Sequence, residues 1–171
     1  MASFFQGVIE NPAIFAPATE TRTAEYNNIY SEHCHRIYSL AFWMTDHELA
    51  AEELAAHTFL RAFSSANAPA VEEIDHAFIN EVRELTAIGS LTLNSELSPA
   101  LPSVRGNVKR VHLERAVVQL PATERLIFLL HDVESYAHDR IGRLLGLTTD
   151  ESKFGLHQAR LRIRELVARM Q

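Results

Sequence analysis

The stretch "IGRLLGLTTDESKFGLHQARLRIREL", residues 141–166, predicts two helices joined by a tight turn. Apolar residues give the first, short helix one inward side, and Gly146 follows at a place where helices commonly end with a positive φ angle. Thr148 then precedes Glu151 by three residues, which is the spacing of a capping box. We therefore expect a second, longer helix to begin directly after Thr148.

The second helix has an inward-facing stripe at steps of four, three, four and three residues, formed by Ser152, Leu156, Ala159, Ile163 and Leu166. Two helices joined by a short turn that contains glycine are typical of a helix-turn-helix, whose second helix enters the DNA major groove. The same period would suit an α-hairpin in a helical bundle, so the period alone leaves both interpretations open. Phe154 falls off the stripe and is expected on the surface, unless a slight rotation buries it in place of Ser152.

Helical periodicity extends over most of the chain and predicts an all-α fold. It divides the sequence into an N-terminal extension (1–24), a first helical domain (25–88), a flexible linker (89–108) and a second helical domain (109–171) that contains the helix-turn-helix. The linker is assigned because its Ser, Pro and Gly residues follow no sustained period. The predicted architecture is two small helical domains joined by a flexible linker.

Three helices are predicted in the first domain. Thr45 and Glu48 have the spacing of a capping box, which predicts that the second helix starts there. The segment "SSANAPA", residues 64–70, contains Ser, Asn and Pro and ends that helix. A third helix follows, with an inward stripe formed by Ile74, Phe78, Val82 and Leu85.

Composition is that of an ordinary globular protein, with 47% hydrophobic and 22% charged residues. No stretch approaches the roughly 20 apolar residues that cross a bilayer, so we expect no membrane insertion. Cys34 is the only cysteine, which excludes an intramolecular disulfide framework and favours a reducing, cytoplasmic location. His33, Cys34 and His35 are adjacent, and neighbours on a helix point about 100° apart, so they predict no metal site. We also expect no cofactor and no catalytic residue, since no phosphate loop or nucleophile turn is present.

Charge is distributed unevenly along the chain. Residues 1–106 carry five arginines and no lysine against fourteen acidic residues, whereas residues 107–171 carry eleven basic and eight acidic residues. The two parts have net charges of −9 and +3, within a total of −6. The second part can therefore approach phosphates, and the first would be repelled by them.

The segment from 113 to 170 resembles region four of bacterial RNA polymerase sigma factors of the extracytoplasmic-function (ECF) class. The residues that carry this resemblance are Leu120-Pro121, Glu124-Arg125, Tyr136, Leu145-Gly146, Leu156-His157, Ala159-Arg160 and Ile163-Arg164. The first domain resembles region two of the same class through Ala51-Glu52-Glu53-Leu54 and Phe59-Leu60-Arg61-Ala62-Phe63, with Ala56 where glutamine is usual.

The resemblance implies a protein that catalyses no reaction itself. Region two docks on the polymerase clamp and helps to melt the promoter, and region four binds the upstream promoter element. The expected partners are core RNA polymerase, promoter DNA and an anti-sigma protein. The implied DNA contacts are Arg140, Thr149, Lys153, Phe154, His157 and Arg160, and the implied polymerase contacts are Glu52, Glu53, Leu54 and Phe59.

Two segments depart from the family pattern. The counterpart of the strand-melting segment offers Phe78 as its aromatic residue and Arg83 as its one cation, with Glu81 and Glu84 beside them. Single-stranded DNA needs a basic groove with stacking aromatics, so this segment predicts weak melting. In the recognition helix the usual Thr-Val-Lys-Ser-Arg becomes "ESKFG", which keeps the lysine and loses the arginine at Gly155. The alternative function is therefore a sigma-like module that binds polymerase or an anti-sigma protein without opening promoters.

Overall fold

The computed structural model describes residues 16–93 and 108–170, and all regular secondary structure in those ranges is helical. The helices are α1 (Ala16–Thr45), α2 (Glu48–Ser65), α3 (Val71–Leu85), α4 (Arg110–Val118), α5 (Ala122–Phe128), α6 (His138–Leu145) and α7 (Thr149–Arg169), with a π-helical turn at Leu129–Val133 after α5. The predicted all-α fold is confirmed. Helix α1 begins at Ala16 and therefore overlaps the residues assigned to the N-terminal extension.

The junction between α1 and α2 differs from the prediction. The Thr45 hydroxyl donates to the Ala41 carbonyl at 2.9 Å, inside the last turn of α1, so Thr45 does not cap α2. The N-cap is His47, whose Nδ1 accepts from the Ala50 N–H at 3.4 Å. Asp46 makes the turn with a φ of 52°. The predicted capping box at Thr45 is wrong because α1 extends through that residue.

Helices α1, α2 and α3 form the first unit, and their inward faces share one apolar core. Buried side chains come from all three helices and include Ile37, Leu40, Leu54, Phe59, Ile74, Phe78 and Val82. Leu85, predicted on the inward stripe, is 65% exposed because it is the last residue of α3.

Helices α4 to α7 form the second unit. All five residues of the predicted stripe on α7 are buried, and they pack with side chains of α5 and α6. Gly146 ends α6 with a φ of 76°, and the Gly142 carbonyl accepts from the N–H groups of Gly146 and Leu147 at 2.8 and 2.9 Å. Because L-residues with a side chain rarely adopt this φ, Gly146 permits the tight turn between α6 and α7.

The two units pack against each other, and their buried residues belong to one continuous core. Arg125 of α5 donates to the carbonyls of Trp43 and Met44 at 3.2 and 3.1 Å, at the end of α1. The N–H groups of Thr92 and Leu93 donate to the buried Glu124 carboxylate at 2.5 and 2.7 Å. The predicted flexible linker is therefore docked on the second unit over residues 89–93, and its residues 94–107 lie outside the described ranges.

Candidate nucleic-acid interface

The first turn of α7 is fixed by the predicted capping box. Thr148 Oγ1 accepts from the Glu151 N–H at 3.1 Å, and Glu151 Oε2 accepts from the Thr148 N–H at 2.8 Å. The Thr148 N–H and hydroxyl both donate to the Glu151 carboxylate, and these bonds lower its pKa because they favour its ionised form. The reciprocal bonds satisfy two donors that a helix start leaves open, and they set the direction of α7.

The rotation of α7 about its axis is set by Ser152. Ser152 is fully buried, and its hydroxyl lies 3.0 Å from His138 Nδ1 at the start of α6. Phe154 is 41% exposed, as expected from its position off the stripe. The alternative rotation, with Phe154 buried in place of Ser152, is wrong.

Gly155 is buried where α7 meets two other segments. A Cβ atom at this position would lie 2.6 Å from Ile127 Cδ1 of α5 and 2.8 Å from Leu91 Cδ2 of the segment after α3. Both distances are shorter than van der Waals contact, so glycine allows this close approach. The loss of the usual arginine thus coincides with a packing contact that an arginine side chain would obstruct.

The DNA contacts that the resemblance implies on α7 lie on the surface of this helix. Thr149, Lys153, Phe154, His157 and Arg160 are all exposed. Because steps of three and four residues return to the same side of a helix, four of these positions form one stripe and Phe154 adjoins it. The helix-turn-helix thus presents a hydroxyl, two cations, an imidazole and an aromatic ring together.

Both cations of this stripe have acidic neighbours. Arg160 donates to both Asp132 oxygens, at 2.6 and 3.0 Å, and Lys153 Nζ lies 3.3 Å from Asp150. Burial would raise the pKa of Asp132, but hydrogen bonds from Arg160 and His131 outweigh burial and lower it. The Asp132 carboxylate therefore stays ionised and holds the Arg160 guanidinium in one geometry.

Two histidines lie beside this ion pair. The rings of His131 and His138 stack with their centroids 4.4 Å apart, and His131 Nδ1 lies 2.8 Å from Asp132 Oδ1. Burial lowers the pKa of His138, and the charges of His131 and Lys153 lower it further. Helical periodicity does not predict this pair, because the π-helical turn that brings His131 to α6 leaves no periodic pattern.

Arg140, the sixth implied DNA contact, lies between the two units. Its Nη2 donates to Asp75 Oδ2 at 2.7 Å, and its guanidinium carbon is 3.9 Å from the centre of the Tyr136 ring. Asp75, on α3, also accepts from Arg36 at 2.8 Å and from the Tyr136 hydroxyl at 2.7 Å. Burial and the hydrogen bond to Asp75 raise the pKa of Tyr136, so its hydroxyl stays protonated and donates. We call Arg36, Asp75, Tyr136 and Arg140 the Asp75 cluster.

The four implied polymerase contacts on α2 differ in their exposure to solvent. Glu52 and Glu53 are exposed, whereas Leu54 and Phe59 are buried in the core of the first unit. Leu60 is 66% exposed and gives the outer face of α2 an apolar side chain. The helical period could have identified Leu60 from the sequence, because it lies off the inward positions of Leu54 and Phe59.

Helix α3 presents an acidic outer face. Phe78 is 1% exposed, so it belongs to the core and its ring is not available for stacking on a base. Arg61 of α2 forms ion pairs with Glu81 and Glu84. Arg83 donates to the Leu144 carbonyl at 3.2 Å. The cations near the counterpart of the strand-melting segment are therefore engaged within the protein.

Within the described ranges, no helix combines the length and apolar character needed to cross a membrane. Nor does this part of the chain bring together three His, Cys, Asp or Glu side chains that could hold a metal ion.

The helix-turn-helix unit matches a known protein family. The family described as Sigma-70, region 4, matches residues 110–163, which include α4 to α6 and most of α7. Over 174 aligned residues the chain is 24% identical to a protein named ECF RNA polymerase sigma factor SigE from Mycolicibacterium smegmatis. That alignment covers 92% of this chain and 67% of the relative. Together with the capped helix-turn-helix, these similarities identify residues 110–163 as a sigma-70 region 4 unit and show that the chain is similar to a sigma factor of the ECF class.

Proposed function

We propose that this protein binds core RNA polymerase and directs it to promoter DNA. The exposed stripe of α7 is the observation that supports this function. In this stripe Lys153 and Arg160, which can bind phosphates or guanine, lie beside Phe154, which can contact a thymine methyl group. The net charge of +3 over residues 107–171 favours the approach of this unit to DNA.

The polymerase contact belongs to the outer face of α2 in this proposal. Glu52 and Glu53 offer carboxylates, and Leu60 offers an exposed apolar side chain on the same helix. A partner with basic and apolar residues would complement this face. Leu54 and Phe59 act indirectly, because they anchor α2 in the core.

The DNA contact is tested with Lys153→Ala and Arg160→Ala in the full chain. Each change should weaken binding to promoter duplexes and lower the salt slope of log K by about 1, because each removes one phosphate-binding cation. Fluorescence anisotropy over a series of salt concentrations measures both quantities. Arg22→Ala, at an exposed cation of α1, is the charge-matched control. Unchanged affinity at low salt in both α7 variants would exclude this helix from DNA binding.

A second candidate function is a sigma-like module that binds polymerase or an anti-sigma protein without opening promoters. The buried Phe78 and the acidic outer face of α3 favour it, since melted strands need exposed aromatics and cations. Capture with core polymerase, followed by transcription from native and pre-melted templates, separates the two functions. Initiation on a native promoter would exclude the second function. Polymerase binding without initiation on a native template would support it.

A further inference from the structure

Two histidine rings stack on each other beside the exposed stripe of α7. His131, in the π-helical turn, and His138, the first residue of α6, have ring centroids 4.4 Å apart and ring planes inclined by 22°. His138 Nδ1 lies 3.0 Å from the hydroxyl of the buried Ser152, which holds the pair against the start of α7. The neighbouring carboxylate on α6, that of Asp139, is paired with Arg143 at 2.9 Å.

The charged groups that face the stacked pair include cations expected to contact DNA. Asp132, from the same turn as His131, lies 2.8 Å from His131 Nδ1 and accepts from Arg160 of α7 at 2.6 and 3.0 Å. The positive charges of Lys153 and Arg160 also act on His138 from α7. The pair therefore lies among the cations of the stripe, with the Asp132 carboxylate between His131 and Arg160.

The contact with Asp132 decides which nitrogen of His131 carries the hydrogen in the neutral ring. Because the Asp132 carboxylate stays ionised, it can only accept, so His131 Nδ1 donates to it. The other nitrogen, Nε2, is then an acceptor, which a phosphate repels. Protonation converts Nε2 into a donor and gives the ring a positive charge, and both changes favour contact with a phosphate.

A phosphate can reach these groups in the folded chain. The side chains of His131 and Arg160 are 31% and 52% exposed. Arg160 uses Nε and Nη2 to bond Asp132, so its Nη1 hydrogens are left for another acceptor. Asp132 thus orients the Arg160 guanidinium without using all of its donors.

Proton uptake by the pair is held back until an anion is present. Burial lowers the pKa of His138, and the positive charges of His131, Lys153 and Arg160 lower it further, so this ring is neutral near neutral pH. A bound phosphate compensates for those charges and favours the protonated form. Two positive rings 4.4 Å apart repel each other, so the pair takes up a first proton more readily than a second.

We propose that His131 and His138 form, with Arg160, a proton-dependent contact to a backbone phosphate of bound DNA. This inference rests on the proposed DNA-binding function and adds two residues to that interface. A proton enters the stacked pair as the phosphate binds, so the chain binds DNA more tightly in mild acid than at neutral pH. Because the contact is to the backbone, the effect does not depend on base sequence.

The test compares the DNA affinity of the full chain at about pH 7.5 and about pH 5.5, on either side of the range in which histidines titrate. Anisotropy of short rhodamine-labelled duplexes of mixed sequence, at low ionic strength, measures the affinity. We expect the wild type to bind about tenfold more tightly at the lower pH, which corresponds to a tenfold gain in proton affinity on binding. His131→Asn combined with His138→Asn should abolish this gain, because amides take up no proton. His35→Asn, at an exposed histidine of α1, is the matched control and should keep the gain.

His131→Arg makes the opposite change and serves as the second variant if the double variant does not fold, as judged by circular dichroism. Its permanent charge should tighten binding at about pH 7.5 and make the affinity less dependent on pH, because it repels a proton on His138. A wild-type affinity that is equal at both pH values, or a full response in either variant, would overturn the proton-dependent contact. In those cases binding that Lys153→Ala and Arg160→Ala weaken still supports the proposed function. Absence of binding by every form would overturn both.

Discussion

Gly155 lies where α7 meets the core of the second unit and the segment that follows α3. Its neighbours are Ile127, which is fully buried, and Leu91, which is half-buried. The adjacent Phe154 keeps its ring on the surface because the capping box and Ser152 fix the rotation of the helix. The sequence shows the loss of arginine at position 155, but only the contact with Leu91 gives that loss a physical reason.

Gly155→Ala is expected to lower the free energy of unfolding by about 1 kcal/mol. Overpacking costs about 1–3 kcal/mol, and the better helix propensity of alanine offsets about 1 kcal/mol of that cost. Urea unfolding followed by circular dichroism measures the change. In a Leu91→Ala background the cost should be smaller, because one of the two close contacts is gone. Equal costs in both backgrounds would contradict a contact between Leu91 and α7.

Helix starts and ends show how far local sequence determines an element. The capping box at Thr148 was predicted correctly, since its donors and acceptors all lie within one turn. The box at Thr45 has the same spacing but is absent, because a threonine hydroxyl in a last turn can bond back to the carbonyl four residues earlier. The π-helical turn at Leu129–Val133 was not predicted, because periodicity describes α-helices and a single wider turn hardly changes it.

Thr148→Ala should destabilise the protein by about 1 kcal/mol, because it removes the acceptor for the Glu151 N–H and the partner of the Glu151 carboxylate. Thr149→Ala is the matched control, since Thr149 is exposed in the same turn and is not the N-cap. Thermal unfolding of the two variants gives the comparison. Equal losses of stability would show that the capping box contributes little.

At the scale of the whole molecule, the first and second units form one packed body within the described ranges. Arg125 illustrates how they are joined, because its half-buried guanidinium donates to carbonyls at the end of α1 and before α5, on Trp43, Met44, Val118 and Leu120. Burial lowers its pKa, and these carbonyls replace the water it loses. In the region four pattern Arg125 is the second residue of a Glu-Arg pair, and that local pattern does not predict that it connects the two units.

We expect the wild-type chain to unfold in one transition, with Trp43 fluorescence and circular dichroism changing together. Arg125→Met should separate these changes into two transitions, because the units then lose the hydrogen bonds from Arg125 to the end of α1. Urea titration with both signals provides the measurement. Arg110→Met, at an exposed arginine whose ion pair is with Glu114 in the same helix, is the control. Coincident transitions in Arg125→Met would show that the remaining contacts between the units are sufficient to make them unfold together.

Local sequence is sufficient to predict the all-α class, most helices, the helix-turn-helix and the inward stripe of α7. These features depend on periodicity and capping over a few residues, so they are present in any local window. Only the folded structure shows that Leu54 and Phe59 are core residues, that Arg140 faces Asp75, and that residues 89–93 lie against the second unit. These outcomes depend on contacts between residues far apart in the chain, where burial and the need to satisfy each buried polar group select one arrangement that no local pattern specifies.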